Sequence, residues 1–128
     1  MIYVDTSVVL AQLLAEDRRP PATLWQQPLV TSRPLEYEVW NRLHARGLGT
    51  VLGEAARLLL GRLAWLELDR PVLARATESF PAPTRTLDAL HLAAADFLRQ
   101  EGIPVSIASY DERFLTVARK LEFAIAEL

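Results

Sequence analysis

The chain reads as an α/β protein with a mainly parallel central sheet flanked by helices on both faces. Three observations predict this. Short apolar runs with strand character alternate with longer segments of helical spacing, and Gly and Pro breakers fall at short intervals between them. One late segment, TRTLDALHLAAADFL, is apolar almost all round, which makes it a central, largely buried helix. Strands separated by helices imply parallel pairing.

Each element follows from that alternation. The first strand is residues 1–4, and helical spacing resumes over about 6–16. RRPP at 18–21 breaks the chain before a short helix at 21–26 and a strand at 28–31. Helices over about 33–46 and 51–64 are parted by Gly47 and Gly49. WLELD at 65–69 is a short strand, followed across the Pro71 break by a helix at about 71–79. PAP at 81–83 precedes the long helix at about 86–100, and Gly102 and Pro104 precede a strand at 105–109. A helix over about 111–121 and a strand at 123–126 complete the pattern. No repeat or long linker interrupts it, so residues 1–128 are expected to form a single domain.

Composition narrows the function classes. The chain has 128 residues, 51% of them hydrophobic, and no cysteine, which removes disulfides and thiolate metal sites and fits a reducing cytoplasm. No apolar run approaches the ~20 residues of a membrane span, and the amino terminus has no signal-peptide pattern, so no membrane association is expected. The net charge is −2, which provides no global basic field for a polyanion. Of its 14 basic residues 13 are arginine, whose fork suits phosphate but whose abundance can equally reflect genome composition.

Four acids stand out. Parallel sheets bind ligands at the carboxyl ends of their strands. Asp5 directly follows one strand and Asp111 lies two residues beyond another, while Asp88 sits near the start of the buried helix. Taken singly, each reads as a helix cap. In TSRPLEYEVWNRL the apolar stripe Leu35, Val39, Leu43 leaves two acids nearby, Glu36 within its arc and Glu38 beside Arg42, and periodicity does not choose between them. An ordinary Glu38–Arg42 pair is the simplest account of Glu38. Together, converging carboxylates must protonate or hold a cation, and oxygen-only ligation favours Mg²⁺ or Mn²⁺.

YVDTS at 3–7, TSRPLEYEV at 31–39, RTLDALHLAAA at 85–95 and SYDERF at 109–114 resemble, in order and spacing, the four acidic motifs of PIN-domain ribonucleases, above all the VapC-type toxins of bacterial toxin–antitoxin pairs. The resemblance spans essentially the whole chain. It implies a PIN-like fold and an Mg²⁺-dependent endoribonuclease, with Mn²⁺ as a possible substitute, whose catalytic and metal-binding residues are Asp5, Glu38, Asp88 and Asp111. It selects Glu38 because the family's glutamate follows a serine by six residues, as Glu38 follows Ser32; Glu36 becomes an accessory acid. Ser109 stands where many relatives have threonine, and where some carry a further acid shortly after the last motif this chain has Glu112 adjacent to Asp111 and a neutral Thr116, which leaves the number of ligands open.

The resemblance further implies RNA as substrate, hydrolysis by a metal-activated water, a VapB-like antitoxin that obstructs the site, and a homodimer. Thr6, Ser7 and Ser109 neighbour the strand-end acids and are expected to orient ligands or water. Arg85 either contacts phosphate or forms a salt bridge. His91 is expected to be a packed, hydrogen-bonded core residue, and Asp96, two turns beyond Asp88, to lie outside the site. Trp40, beyond its helix's apolar stripe, suggests a surface covered by a partner. Alternatives are a PIN-type RNA-processing nuclease without an antitoxin, and a receiver-like phosphoacceptor domain. The latter lacks its expected strand-end lysine, because Lys120 falls in a helix.

Overall fold

The computed structural model describes residues 1–128. Strands β1 (Ile2–Val4), β2 (Leu29–Ser32), β3 (Ala64–Leu66), β4 (Ser106–Ala108) and β5 (Ala124–Ile125) form one sheet in the order β3-β2-β1-β4-β5. Every neighbouring pair is parallel, so the sheet is wholly rather than mainly parallel. Helices α1 (Thr6–Leu13), α2 (Arg33–Ala45), α3 (Gly49–Leu60), α4 (Arg70–Ala76), α5 (Thr86–Gln100) and α6 (Glu112–Lys120) make the crossovers, with a 3₁₀ turn at Ala22–Gln26. None of the helices is long and apolar enough to cross a membrane.

Side chains alternate across the sheet, and the two faces collect different helices. Tyr3, Val30 and Ile107 pack into one core with residues of α4, α5 and α6, including Val72, Leu92 and Phe114. Val4, Leu29 and Ala108 face the other, built from α1, α2 and α3 with Val8, Leu35 and Leu60. A strand buried on both faces has no polar side, which is why IYV reads as a continuous apolar run.

Several boundaries differ from the sequence expectation. Helix α1 stops at Leu13 rather than near residue 16, because Ala15 turns left-handed at φ 50° and the Glu16 amide closes onto the Ala11 carbonyl. Strand β3 spans Ala64–Leu66, short of residue 69, because Asp69 instead caps α4 and accepts from the Val72 amide. Helix α3 is displaced two residues towards the amino terminus at its start and ends at Leu60, four residues early, and α4 ends at Ala76.

Chain order places the site. From the central strand β1 the chain builds outward through β2 and β3, then crosses to the other side of β1 to lay down β4 and β5. The order therefore reverses between β1 and β4, and the crevice outside their carboxyl ends is where such sheets take ligands. Asp5 follows β1 directly, and Asp111 lies three residues beyond β4.

Candidate active site

Asp5 occupies the cap position of α1, yet its carboxylate makes no bond to the helix amides. Its Oδ2 instead accepts from the hydroxyls of Ser7 at 2.8 Å and Ser109 at 2.7 Å. The Asp5 amide donates to the Ala108 carbonyl at 3.0 Å, which ties the residue to β4. Only 5% of Asp5 is exposed, and what remains open faces a cleft of about 520 Å³.

Glu38, on the second turn of α2, reaches the same cleft and is aimed from beneath. Its Oε1 lies 2.7 Å from Nε2 of His91, a wholly buried residue of α5. His91 Nδ1 is 2.7 Å from the Tyr3 hydroxyl, which is 2.6 Å from Ser32 Oγ. Burial pushes the Tyr3 phenol far above its usual value, more than the Ser32 hydrogen bond lowers it, so the phenol keeps its proton. With that proton donated to Nδ1, the imidazole presents Nε2–H to the Glu38 carboxylate. Side chains on β1, β2 and α5 thus orient an acid on α2.

The other two acids are held by charge. Asp88 lies in the first turn of α5; its Oδ2 accepts from Arg85 Nε at 2.9 Å and is paired with Nη2 at 2.8 Å. The same Nη2 donates to Asp111 Oδ2 at 2.6 Å. Asp111 also caps α6, its Oδ1 accepting from the amides of Arg113 and Phe114. Burial alone would raise Asp111, but Arg85 and these amides outweigh it and hold the carboxyl below its usual value. Asp88 is raised, mainly by burial; Arg85 offsets part of this, and the charges of Asp5 and Asp111 add to it.

Three arginines, Arg18, Arg42 and Arg85, line the cleft beside Asp5, Glu38 and Asp111. Arg18 lies 5.1 Å over the Tyr110 ring. Positive charge that is lacking in the net composition is therefore present locally, against the acids.

Residues 2–120 match the PIN domain family. The chain belongs to the PIN-domain family. It is 34% identical to ribonuclease VapC47 of Mycobacterium tuberculosis strain CDC 1551, over 98% of this chain and 96% of the relative. Ribonuclease VapC46 of M. tuberculosis strain H37Rv is 30% identical, over 97% and 95%. Among solved structures, M. tuberculosis VapC20, a sarcin–ricin loop cleaving toxin, superposes with a TM-score of 0.72 at 20% identity over the full length of both chains. Rickettsia felis VapBC2, solved bound to a DNA fragment from its promoter, gives 0.69 at 12% identity over 98% of both chains. These likenesses place the protein close to the VapC-family ribonuclease toxins and bear out the PIN-like α/β fold.

In this PIN domain no three His, Asp or Glu side chains are gathered tightly enough to hold one ion. The carboxylates are nonetheless of the kind a hard divalent cation takes: Asp5, Glu38 and Asp111 line one cleft, and Asp88, outside its lining, is joined to Asp111 through a shared guanidinium.

The structure brings Ser7 and Ser109 onto Asp5, while Thr6 lines the same cleft with its Oγ1 3.4 Å from Nε2 of His91, the nitrogen that meets Glu38. The Glu38–Arg42 pair is not formed, because His91 takes the carboxylate. Glu36 pairs with Arg33 on the surface instead of joining the cleft. Asp96 is held by Arg75 and Arg99, both at 2.8 Å, away from the site. Trp40 stacks on His44 and lies under Arg57, so its own chain covers much of it. Tyr3 and Ser32 were not singled out by sequence as supports of the site, and their only advance signal was a hydroxyl within each acidic motif.

Proposed function

We propose that the protein is an Mg²⁺-dependent endoribonuclease that acts as the toxin of a VapBC-type pair, hydrolysing RNA phosphodiester bonds. The observation that supports this most is the cleft lined by Asp5, Glu38 and Asp111 at the sheet's switch point, with Asp88 tied to its edge through Arg85, in a chain of the PIN-domain family. Asp5, Glu38, Asp88 and Asp111 are the residues proposed to hold the ion. When bound, a divalent ion supplies Lewis acidity and a more acidic water. Mn²⁺ is the expected substitute.

The protein's part is positional. Ser7 and Ser109 fix Asp5, and the Tyr3–His91 chain fixes Glu38, so two carboxylates are pre-oriented by groups that need not move. Arg18 and Arg42 offer donors to the phosphates of an incoming strand at the cleft wall. A free carboxylate oxygen beside the scissile phosphate can accept the proton of the attacking water. The VapC relatives support an RNA substrate and a VapB-like antitoxin partner, and homodimerisation and a cytoplasmic location are proposed with them.

Cleavage of RNA by the purified protein with Mg²⁺, with EDTA and with Asp5→Asn tests the assignment. Activity is expected only in the first arm. Equal cleavage by Asp5→Asn and the wild type would remove Asp5 from the machinery.

A further inference from the structure

Arg85 differs from five other arginines of this molecule. Arg18, Arg33, Arg57, Arg75 and Arg99 each lie over an aromatic ring. Arg85 has no such anchor; its side chain is 49% exposed, and its guanidinium is held by Asp88 and Asp111. It stands at the cap position of α5 in extended backbone, just before the helix, where a side-chain swing disturbs no packed helical face. One nitrogen, Nη2, touches a carboxylate oxygen from each of two separate elements, which is the relation a bridging cation has to its ligands.

We propose that Arg85 and a divalent ion compete for the same oxygens of Asp88 and Asp111, so that binding of the ion expels the guanidinium into the cleft, where it meets the phosphate backbone of the substrate. The inference rests on the metal-dependent reading above. When Arg85 leaves, Asp111 keeps its two amide bonds from Arg113 and Phe114, while Asp88, whose carboxylate has no other partner, is left on the first turn of α5 with its oxygens open to an ion. The exchange also suits the charges. With Arg85 in place Asp88 and Asp111 do not repel unopposed, and the incoming ion takes over that role while releasing a cation toward a polyanion.

The test is Mn²⁺ titration by calorimetry, together with thermal denaturation with and without Mn²⁺, of the wild type, Arg85→Gln, Arg85→Lys and Asp5→Asn. Loss of the competitor is expected to tighten Mn²⁺ binding in Arg85→Gln on the order of threefold to tenfold, the range that two half-exposed ion pairs span. Arg85→Lys should fall between it and the wild type. Mn²⁺ should also raise the melting temperature of Arg85→Gln more than that of the wild type. Unchanged or weaker binding by Arg85→Gln, with the wild type binding and Asp5→Asn impaired, overturns the competition while leaving the metal site intact. Absence of binding in both the wild type and Arg85→Gln, or wild-type binding by Asp5→Asn, rejects the metal site and the competition with it.

Discussion

The candidate site has two halves built on different physics. Asp5 and Glu38 are held by short side-chain hydrogen bonds: two serine hydroxyls on one, and a buried tyrosine–histidine chain on the other. Asp88 and Asp111 share one half-exposed arginine. Buried hydrogen bonds are costly to break because the orphaned group has no water to turn to, whereas exposed ion pairs contribute little and are screened. The first half is therefore preset in position, and the second is neutralised but open to exchange.

The largest effects should come from the hydrogen-bonded half. His91→Leu removes the group that links Tyr3 to Glu38 and leaves a buried phenol with Ser32 alone; a loss of about 2–4 kcal/mol in unfolding free energy is expected, by analogy with other disrupted buried networks. Urea denaturation measures it. Cleavage should fall as well, since Glu38 is no longer aimed. Tyr3→Phe is gentler, removing only the hydroxyl and stranding His91 Nδ1, and should cost about 1–3 kcal/mol. If either change leaves stability within ~0.5 kcal/mol of the wild type, the tyrosine–histidine chain is not a buried support, and the contrast collapses.

What sequence revealed and hid follows the same division between local and distant causes. Helices α2 and α5 end where expected because Gly47 and Gly102 announce the left-handed residue that closes them. Helix α1 closes by the same kind of bond with Ala15 in that conformation, and alanine gives no such signal. Motif order singled out the four acids, of which Asp5, Glu38 and Asp111 line one cleft, and Ser7 and Ser109 stood out by lying beside two of them. Hidden were the contacts across the fold: Tyr3 and His91 meet over 88 positions, and Glu38 and His91 over 53. Helical angle paired Glu38 with Arg42, since spacing within α2 knows nothing of a histidine arriving on α5. Arg85 was read as either a phosphate contact or a salt bridge; the structure places it in two ion pairs, a distinction set by the distance from α5 to α6.

Asp96 offers an intermediate case, a buried carboxylate held by charge but outside the cleft. Burial would raise its pKa, but the hydrogen bonds and charges of Arg75 and Arg99 outweigh this and lower it. A lowered folded-state pKa means that its stabilisation is fully present above the unfolded value of about 3.9 and is lost as pH falls through the folded one. Stability measured by urea from pH 6 downward should therefore decline in that acid range. Asp96→Asn should start about 1–2 kcal/mol lower and show a shallower decline. An unchanged slope would mean that Asp96 contributes nothing to acid sensitivity.

The smallest stability effect is expected at Arg85, although its effect on the chemistry need not be small. Its two ion pairs involve a side chain 49% exposed, so solvent screening limits what they add, and Arg85→Gln should cost less than about 1 kcal/mol at low salt. At 1 M salt the Debye length falls to about 3 Å, comparable with the pair distances themselves, and most of that cost should vanish. The Tyr3→Phe penalty should persist under the same conditions, because Tyr3, Ser32 and His91 are wholly buried and no screening ion reaches the bonds between them. Denaturation of both variants at low and high salt places the two halves on one scale. A salt-independent Arg85→Gln penalty equal to that of Tyr3→Phe would show that the arginine is a fixed strut like the histidine, and would leave no half of the site free to exchange its cation.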